Sequence, residues 1–145
     1  MLWNKRIVVV FLTWVIVEAE TPNEWSPEVS IRMKSISQLA FSPSGDAIAF
    51  SVREAVTQGE KSEYLNQIWV VKLSKRKSPI QYTFGEKSSS RPQFSPDGEY
   101  IAFARNVDEK TQVWIMRTAG GEAWQFSYQK ESVSDFRWSP DGKQI

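Results

Sequence analysis

The residues of this chain with the right chemistry for covalent work are its serines, Ser88-Ser89-Ser90 most conspicuously, and two carboxylate pairs, Asp108 with Glu109 and Glu18 with Glu20. A serine hydroxyl is a weak nucleophile until a neighbouring base takes its proton. Near neutral pH that base is usually an imidazole, and the chain has no histidine. It also lacks a Gly-x-Ser-x-Gly elbow, a Gly-x-x-x-x-Gly-Lys phosphate loop and an Asp-rich calcium loop. One carboxylate pair falls in a polar hairpin loop and the other beside a cleavage-like site, so neither has the burial that tunes a pKa for acid–base work. With neither Cys nor His, the common zinc ligand sets are missing. The sequence therefore predicts no catalytic, cofactor-binding or metal-binding residue, no cofactor, and no peptide hydrolysis by this chain alone.

Structure, by contrast, is repeated. The tetrad Ser-Pro-(Asp/Ser)-Gly occurs at Ser42-Pro43-Ser44-Gly45, Ser95-Pro96-Asp97-Gly98 and Ser139-Pro140-Asp141-Gly142, each time after an aromatic residue. Proline presets φ for a tight turn, Asp or Ser bonds the local backbone, and Gly takes the positive φ that releases the chain into the next strand. These eleven residues of the repeat, Ser42, Pro43, Gly45, Ser95, Pro96, Asp97, Gly98, Ser139, Pro140, Asp141 and Gly142, are read as structural turns. Successive copies are 53 and 44 residues apart, a period that suits one four-stranded blade of a β-propeller.

The segments after each turn match in type and place. Ala47-Ile48-Ala49-Phe50-Ser51 aligns with Tyr100-Ile101-Ala102-Phe103-Ala104, and Gln67-Ile68-Trp69-Val70-Val71 with Gln112-Val113-Trp114-Ile115-Met116. Strands apolar on both faces need a neighbouring sheet on each side. A fourth strand is predicted at Ile80-Gln81-Tyr82-Thr83 and at Ala123-Trp124-Gln125-Phe126-Ser127, alternating as a half-exposed edge does. From Phe50 to Trp69 is 19 residues and from Phe103 to Trp114 is 11, so the surplus of the first repeat sits in a polar loop from Arg53 to Asn66. That loop, with Glu54, Glu60, Lys61 and Glu63, reads as a solvated hairpin tip, with a binding loop as the alternative.

The fold class is all-β: a partial β-propeller of two four-stranded blades plus the start of a third, after a signal peptide. Residues 1–19 read as the signal, 20–35 as a lead-in, 36–84 as blade 1, 85–128 as blade 2 and 129–145 as the truncated start of blade 3. In the signal, Lys5 and Arg6 precede an apolar run from Ile7 to Val17, and Val17-Glu18-Ala19 offers a small-residue cleavage site. Eleven apolar residues are too few to span a bilayer, which takes about 20, so export to the periplasm or beyond is expected and no stable membrane span. In the lead-in, Ser26-Pro27-Glu28 predicts a short helix from Pro27 to about Lys34. The formal net charge is +1, with 18 basic and 17 acidic residues scattered along the chain, so nucleic acid is not an expected partner.

Three stretches are specific enough to carry a family likeness. They are Met33-Lys34-Ser35-Ile36-Ser37-Gln38-Leu39-Ala40-Phe41-Ser42-Pro43, Gln67-Ile68-Trp69-Val70-Val71, and Arg91-Pro92-Gln93-Phe94-Ser95-Pro96-Asp97-Gly98-Glu99-Tyr100-Ile101-Ala102-Phe103. Together they resemble the amino-terminal propeller of the prolyl oligopeptidase family of serine peptidases, in its acylaminoacyl-peptidase and dipeptidyl-aminopeptidase branches. TolB-like propellers share the turn repeat. The resemblance implies an α/β-hydrolase domain with a Ser-Asp-His triad after the propeller, peptide substrates for the complete enzyme, and a propeller that gates their access. No family catalytic residue maps onto this chain. The alternative is a fragment of a TolB-like periplasmic propeller acting in protein–protein interaction, and a third reading is a short propeller assembled from several chains.

Overall fold

A computed structural model describes residues 29, 32–58, 61–73 and 78–145. The signal segment, half of the predicted short helix (residues 27, 28, 30 and 31) and the basic stretch 74–77 lie outside the described residues. Eight strands follow one another: β1 (Ser35–Phe41), β2 (Ala47–Gln58), β3 (Lys61–Lys72), β4 (Ile80–Gln81), β5 (Ser89–Phe94), β6 (Tyr100–Val107), β7 (Lys110–Arg117) and β8 (Trp124–Gln125). They form two four-stranded antiparallel sheets in the orders β1-β2-β3-β4 and β5-β6-β7-β8. Each sheet is a simple meander, the form expected of a propeller blade.

The sheets stack face to face because alternate residues of their inner strands are apolar on both sides. Ala47, Ala49, Ile68 and Val70 of the first blade bury against Phe94, Ile101, Phe103 and Met116 of the second. The opposite face of the second blade carries Ala102, Ala104, Val113 and Ile115, covered by Phe136, with Val133, Trp138 and Ile145 around it. Small residues on the forward face of one blade thus receive large ones from the next. Burial of this apolar area is the main force joining the blades, at about 25 cal/mol per Å².

Residues 129–145 begin the third repeat without a ladder among the described residues. In the second blade the partners of β5 are residues 101–105, which follow its turn, so the corresponding partners for the third would come after Gly142. The segment is instead tied down by isolated hydrogen bonds: Val133 N–H donates to Thr111 O at 2.8 Å, Gln93 Nε2 to Phe136 O at 2.9 Å and Trp138 Nε1 to Gln93 O at 3.3 Å.

Two sequence expectations are corrected by the ladders. The segment from Arg53 to Asn66 is no loop for most of its length. β2 and β3 stay paired from Arg53↔Asn66 to Gln58↔Lys61, so the surplus residues lengthen both strands. The two strands have 12 residues each, against 8 for β6 and β7, so the hairpin runs four pairs further, or about 13 Å. The fourth strands are shorter than predicted, two residues each. The ladder stops where a hydroxyl takes over from a carbonyl: Thr83 Oγ1 accepts the Ile68 N–H and Ser127 Oγ accepts the Val113 N–H, both at 2.8 Å.

Candidate functional site

The three turns share one geometry. Ser42, Ser95 and Ser139 each donate their backbone N–H five residues ahead, to Ala47 O, Tyr100 O and Gln144 O, all at 2.9 Å. Their hydroxyls accept the N–H of the same residues at 3.0, 2.9 and 3.0 Å. Gly45, Gly98 and Gly142 donate back to the serine carbonyl at 2.9 Å, which requires the left-handed φ of 71°, 75° and 69° that glycine adopts without strain. In the second and third turns the serine hydroxyl donates to Asp97 and Asp141, whose other contacts are the N–H groups of Glu99 and Lys143. The first turn has Ser44 in the aspartate position, and Asp46 supplies the carboxylate instead, accepting from both Ser42 and Ser44. The serine hydroxyls are the main cause that holds all three carboxyls below the ordinary aspartate range. A hydroxyl that donates to a carboxylate and accepts a backbone N–H is fully engaged, so these pairs lock turns.

Two of the three consecutive serines, Ser88 and Ser89, also hold hydrogen bonds. Ser88 Oγ accepts the Asn66 N–H at 3.1 Å, and the fully buried Ser89 accepts from Arg105 Nε at 2.9 Å. The Arg105 guanidinium is half-buried, 5.2 Å from the ring centre of Phe103 and 5.0 Å from that of Trp114. Burial lowers its pKa, which leaves an arginine charged all the same. Asp108 and Glu109 are the two-residue turn of the β6–β7 hairpin, exposed, with φ of 47° and 66°. Glu18 and Glu20 lie outside the described residues. Among the described residues no three carboxylates converge.

Two joints were not anticipated from the sequence. In β1 and β5 the register slips between Ser37 and Ala40 and between Ser90 and Gln93, a bulge with Gln38 at φ 54° and Arg91 at φ 55°. The bulged side chains reach the next blade. Gln38 Oε1 accepts the Arg91 N–H at 3.0 Å while also accepting from Ser51 Oγ, and Arg91 in turn donates to the carbonyls of Ser134 and Val133. The second joint clamps the fourth strand: Thr83 Oγ1 donates to Gln67 Oε1 and Ser127 Oγ to Gln112 Oε1, at 2.6 and 2.8 Å. Those glutamines then hold the crossover to the next blade, Gln67 through Gly85 O and Gln112 through Gln129 O. The recurrence of Gln before Ile-Trp and Val-Trp was the available signal.

Among the described residues, the outer four pairs of the long hairpin have no counterpart in the second repeat. Its outward face brings together Val52, Glu54, Val56 and Leu65 around a small groove of about 150 Å³, with Trp69 and Gly85 at its base. Glu54 pairs with Lys34 at 2.9 Å, both side chains half-exposed. On the other face Arg53 lies 4.2 Å from the Tyr64 ring centre.

Comparison with known proteins places this architecture. The chain is 37% identical over 112 residues to the uncharacterized peptidase YuxL of Bacillus subtilis (strain 168), a match that covers 77% of this chain and 17% of that protein. The chain resembles the amino-terminal propeller of the prolyl oligopeptidase family. Among solved structures, the acylaminoacyl peptidase of Pyrococcus horikoshii matches with a TM-score of 0.63 at 22% identity, over 83% of this chain and 18% of that one. The apo form of the isopeptidase AtxE2 matches at 0.68 and 20%, over 81% and 22%. A TolB of Agrobacterium tumefaciens matches at 0.54 and 20%, over 70% and 33%, and has the same blade fold. A family model described as the anaphase-promoting complex subunit 4 WD40 domain matches residues 92–145. The chain thus spans about a fifth of the length of the peptidases it matches.

Proposed function

We propose that this chain is the amino-terminal propeller portion of an exported serine peptidase of the prolyl oligopeptidase family, which admits short peptides to a hydrolase domain carried elsewhere in the protein and holds back folded proteins. One observation carries the reading: sequence identity to a peptidase over 112 residues, at a level well above that of the structural matches. Supporting it, every serine and carboxylate of the turns is consumed by backbone and neighbouring hydroxyls, which leaves this region a scaffold. The partners on this reading are the remaining blades, the hydrolase domain and, through the complete enzyme, peptide substrates. Export rests on the charged n-region at Lys5 and Arg6, the apolar run to Val17 and the cleavage-like Val17-Glu18-Ala19. A TolB-like fragment acting in protein–protein interaction shares the fold, and no separate observation favours it.

The test uses an antiserum raised against this chain. It should recover from the source cells a longer polypeptide that reacts with a serine-directed fluorophosphonate probe, enriched in the exported fraction. Recovery of a polypeptide that stays unlabelled under conditions where other serine hydrolases react would sink the peptidase reading. Purified as it stands, the chain should not turn over aminoacyl or peptidyl chromogenic substrates.

A further inference from the structure

Two arginines face each other across the cleft between the blades with no counter-charge. Successive residues of a strand point to opposite faces, so Arg53 shares the face of β2 that carries Ala47 and Ala49, and Arg105 the face of β6 that carries Ile101 and Phe103. Those are the two faces that pack on each other. The level is common to both as well. Asn66, opposite Arg53 in the ladder, donates its N–H to Ser88 Oγ, and the next residue, Ser89, accepts from Arg105 Nε. Both guanidiniums therefore stand at the hairpin end of the cleft, where the apolar packing stops.

Each is held by aromatic rings and not by an acid. Arg53 lies over Tyr64, and Arg105 lies against Phe103 and Trp114. Among the described residues neither forms an ion pair, and the two terminal nitrogens of Arg105 make no hydrogen bond. Beside that guanidinium the buried indole N–H of Trp114 also has no acceptor. The neighbouring acids point elsewhere: Glu54 is on the opposite face of β2, paired with Lys34, and Asp108 and Glu109 form the exposed turn beyond Arg105. The first blade has Val52 at the place of Arg105, so the charge is no part of the repeat. A half-buried charge is stabilised by an opposite one, and a planar guanidinium matches a carboxylate.

We propose that Arg53 and Arg105 bind the carboxylate of a peptide at the mouth of this cleft, Arg105 through its two free terminal nitrogens and Arg53 from the exposed side. Arg105 is already fixed by Ser89 and by two rings, so it loses little freedom on binding. The choice of a peptide rests on the peptidase reading above, whereas the unpaired arginines do not.

The experiment adds three acetylated tripeptides to the chain at low ionic strength: Ala-Ala-Ala with a free carboxyl terminus, Ala-Asp-Ala amide and, as the uncharged control, Ala-Ala-Ala amide. Proton–nitrogen correlation spectra follow the Nε–H signals of the arginines. At least one of the two acids should shift Arg53 and Arg105 together and to saturation, while Arg117 and Arg137 stay in place and the control moves nothing. Which acid binds distinguishes a chain terminus from an acidic side chain. Arg53→Gln, at an exposed position where the same spectra report an intact fold, should weaken the bound acid at least about fivefold. Arg105→Lys, which keeps the charge and loses the planar fork, should weaken it by as much. No saturation by either acid at millimolar concentration, equal binding of the uncharged control, equal shifts at all arginines, or an Arg53→Gln chain that binds like the parent would each overturn the proposal. None of these results bears on the fluorophosphonate labelling, so the two readings fail separately.

Discussion

Pro43 of the first turn packs its Cδ 3.7 Å from the place a Cβ would occupy on Gly98 of the second, and Pro96 stands 3.5 Å from the same place on Gly142. The turns therefore stack blade upon blade at ordinary van der Waals distance. Around Gly45 nothing lies within 4 Å. If backbone strain governs these positions, Gly45→Ala and Gly98→Ala should each destabilise the chain by about 1–2 kcal/mol, the cost of holding an L residue at positive φ. Urea denaturation midpoints check this. A Gly98→Ala cost several times that of Gly45→Ala would show instead that the turn-to-turn contact governs.

The clamp between β3 and the fourth strand gives a sharper prediction. Thr83 is 2% exposed and Ile68 fully buried, so Thr83→Val leaves the Ile68 N–H and the Gln67 side-chain Oε1 without their partner. A buried polar group left unsatisfied costs about 1–3 kcal/mol. Thr83→Ser should be close to neutral, because the second blade makes the same clamp with Ser127. Denaturation with each variant, together with hydrogen exchange at the Ile68 amide, separates the two outcomes. A loss in the Ser variant with none in the Val variant would mean that the threonine methyl group, not the hydroxyl, holds the strand.

The blades were legible in the sequence because turn and strand are encoded locally. Ser-Pro-Asp-Gly specifies its own hydrogen bonds within five residues, and Ala-Phe or Ile-Val alternation names both faces of an inner strand. The joints were not legible, since Gln38 and Arg91 do one job with unlike side chains, and their partners lie 53 and 43 residues away. Asp46 escaped for a related reason: the first turn moves its carboxylate two positions along, which a search by register passes over. The hairpin from Arg53 to Asn66 read as a loop because charged residues such as Glu54 and Glu63 occupy a two-stranded ribbon that has solvent around it. Polarity in such a ribbon reports exposure, whereas pairing is carried by the backbone.

The β6–β7 hairpin turns on Asp108 and Glu109, both at positive φ, between Val107 and Lys110. Two-residue hairpin turns with both residues left-handed favour glycine at the second position. Glu109→Gly relieves the strained residue, at the expense of a more flexible unfolded chain, for a net gain of about 0.5 kcal/mol. A rise in the thermal midpoint with an unchanged denaturant slope is the expected signature. Asp108→Pro, which cannot adopt positive φ, should lower the midpoint.

The turn carboxylates also set an acid limit on the fold. Asp46, Asp97 and Asp141 all have pKa values lowered from 3.8, first because a serine hydroxyl donates to each. A carboxyl whose pKa is depressed in the folded state stabilises it above the unfolded pKa, and the contribution fades as pH falls through the folded value. Stability should then be flat from neutrality down to about pH 4 and decline below that, as the three turns protonate. Asp97→Asn should lower stability at neutral pH and make the decline below pH 4 shallower, since one of the three groups no longer titrates. Carboxyl chemical shifts followed by NMR locate the three titrations, and denaturation at a series of pH values follows the stability. A decline as steep in Asp97→Asn as in the parent would mean that carboxyls outside the turns carry the acid sensitivity.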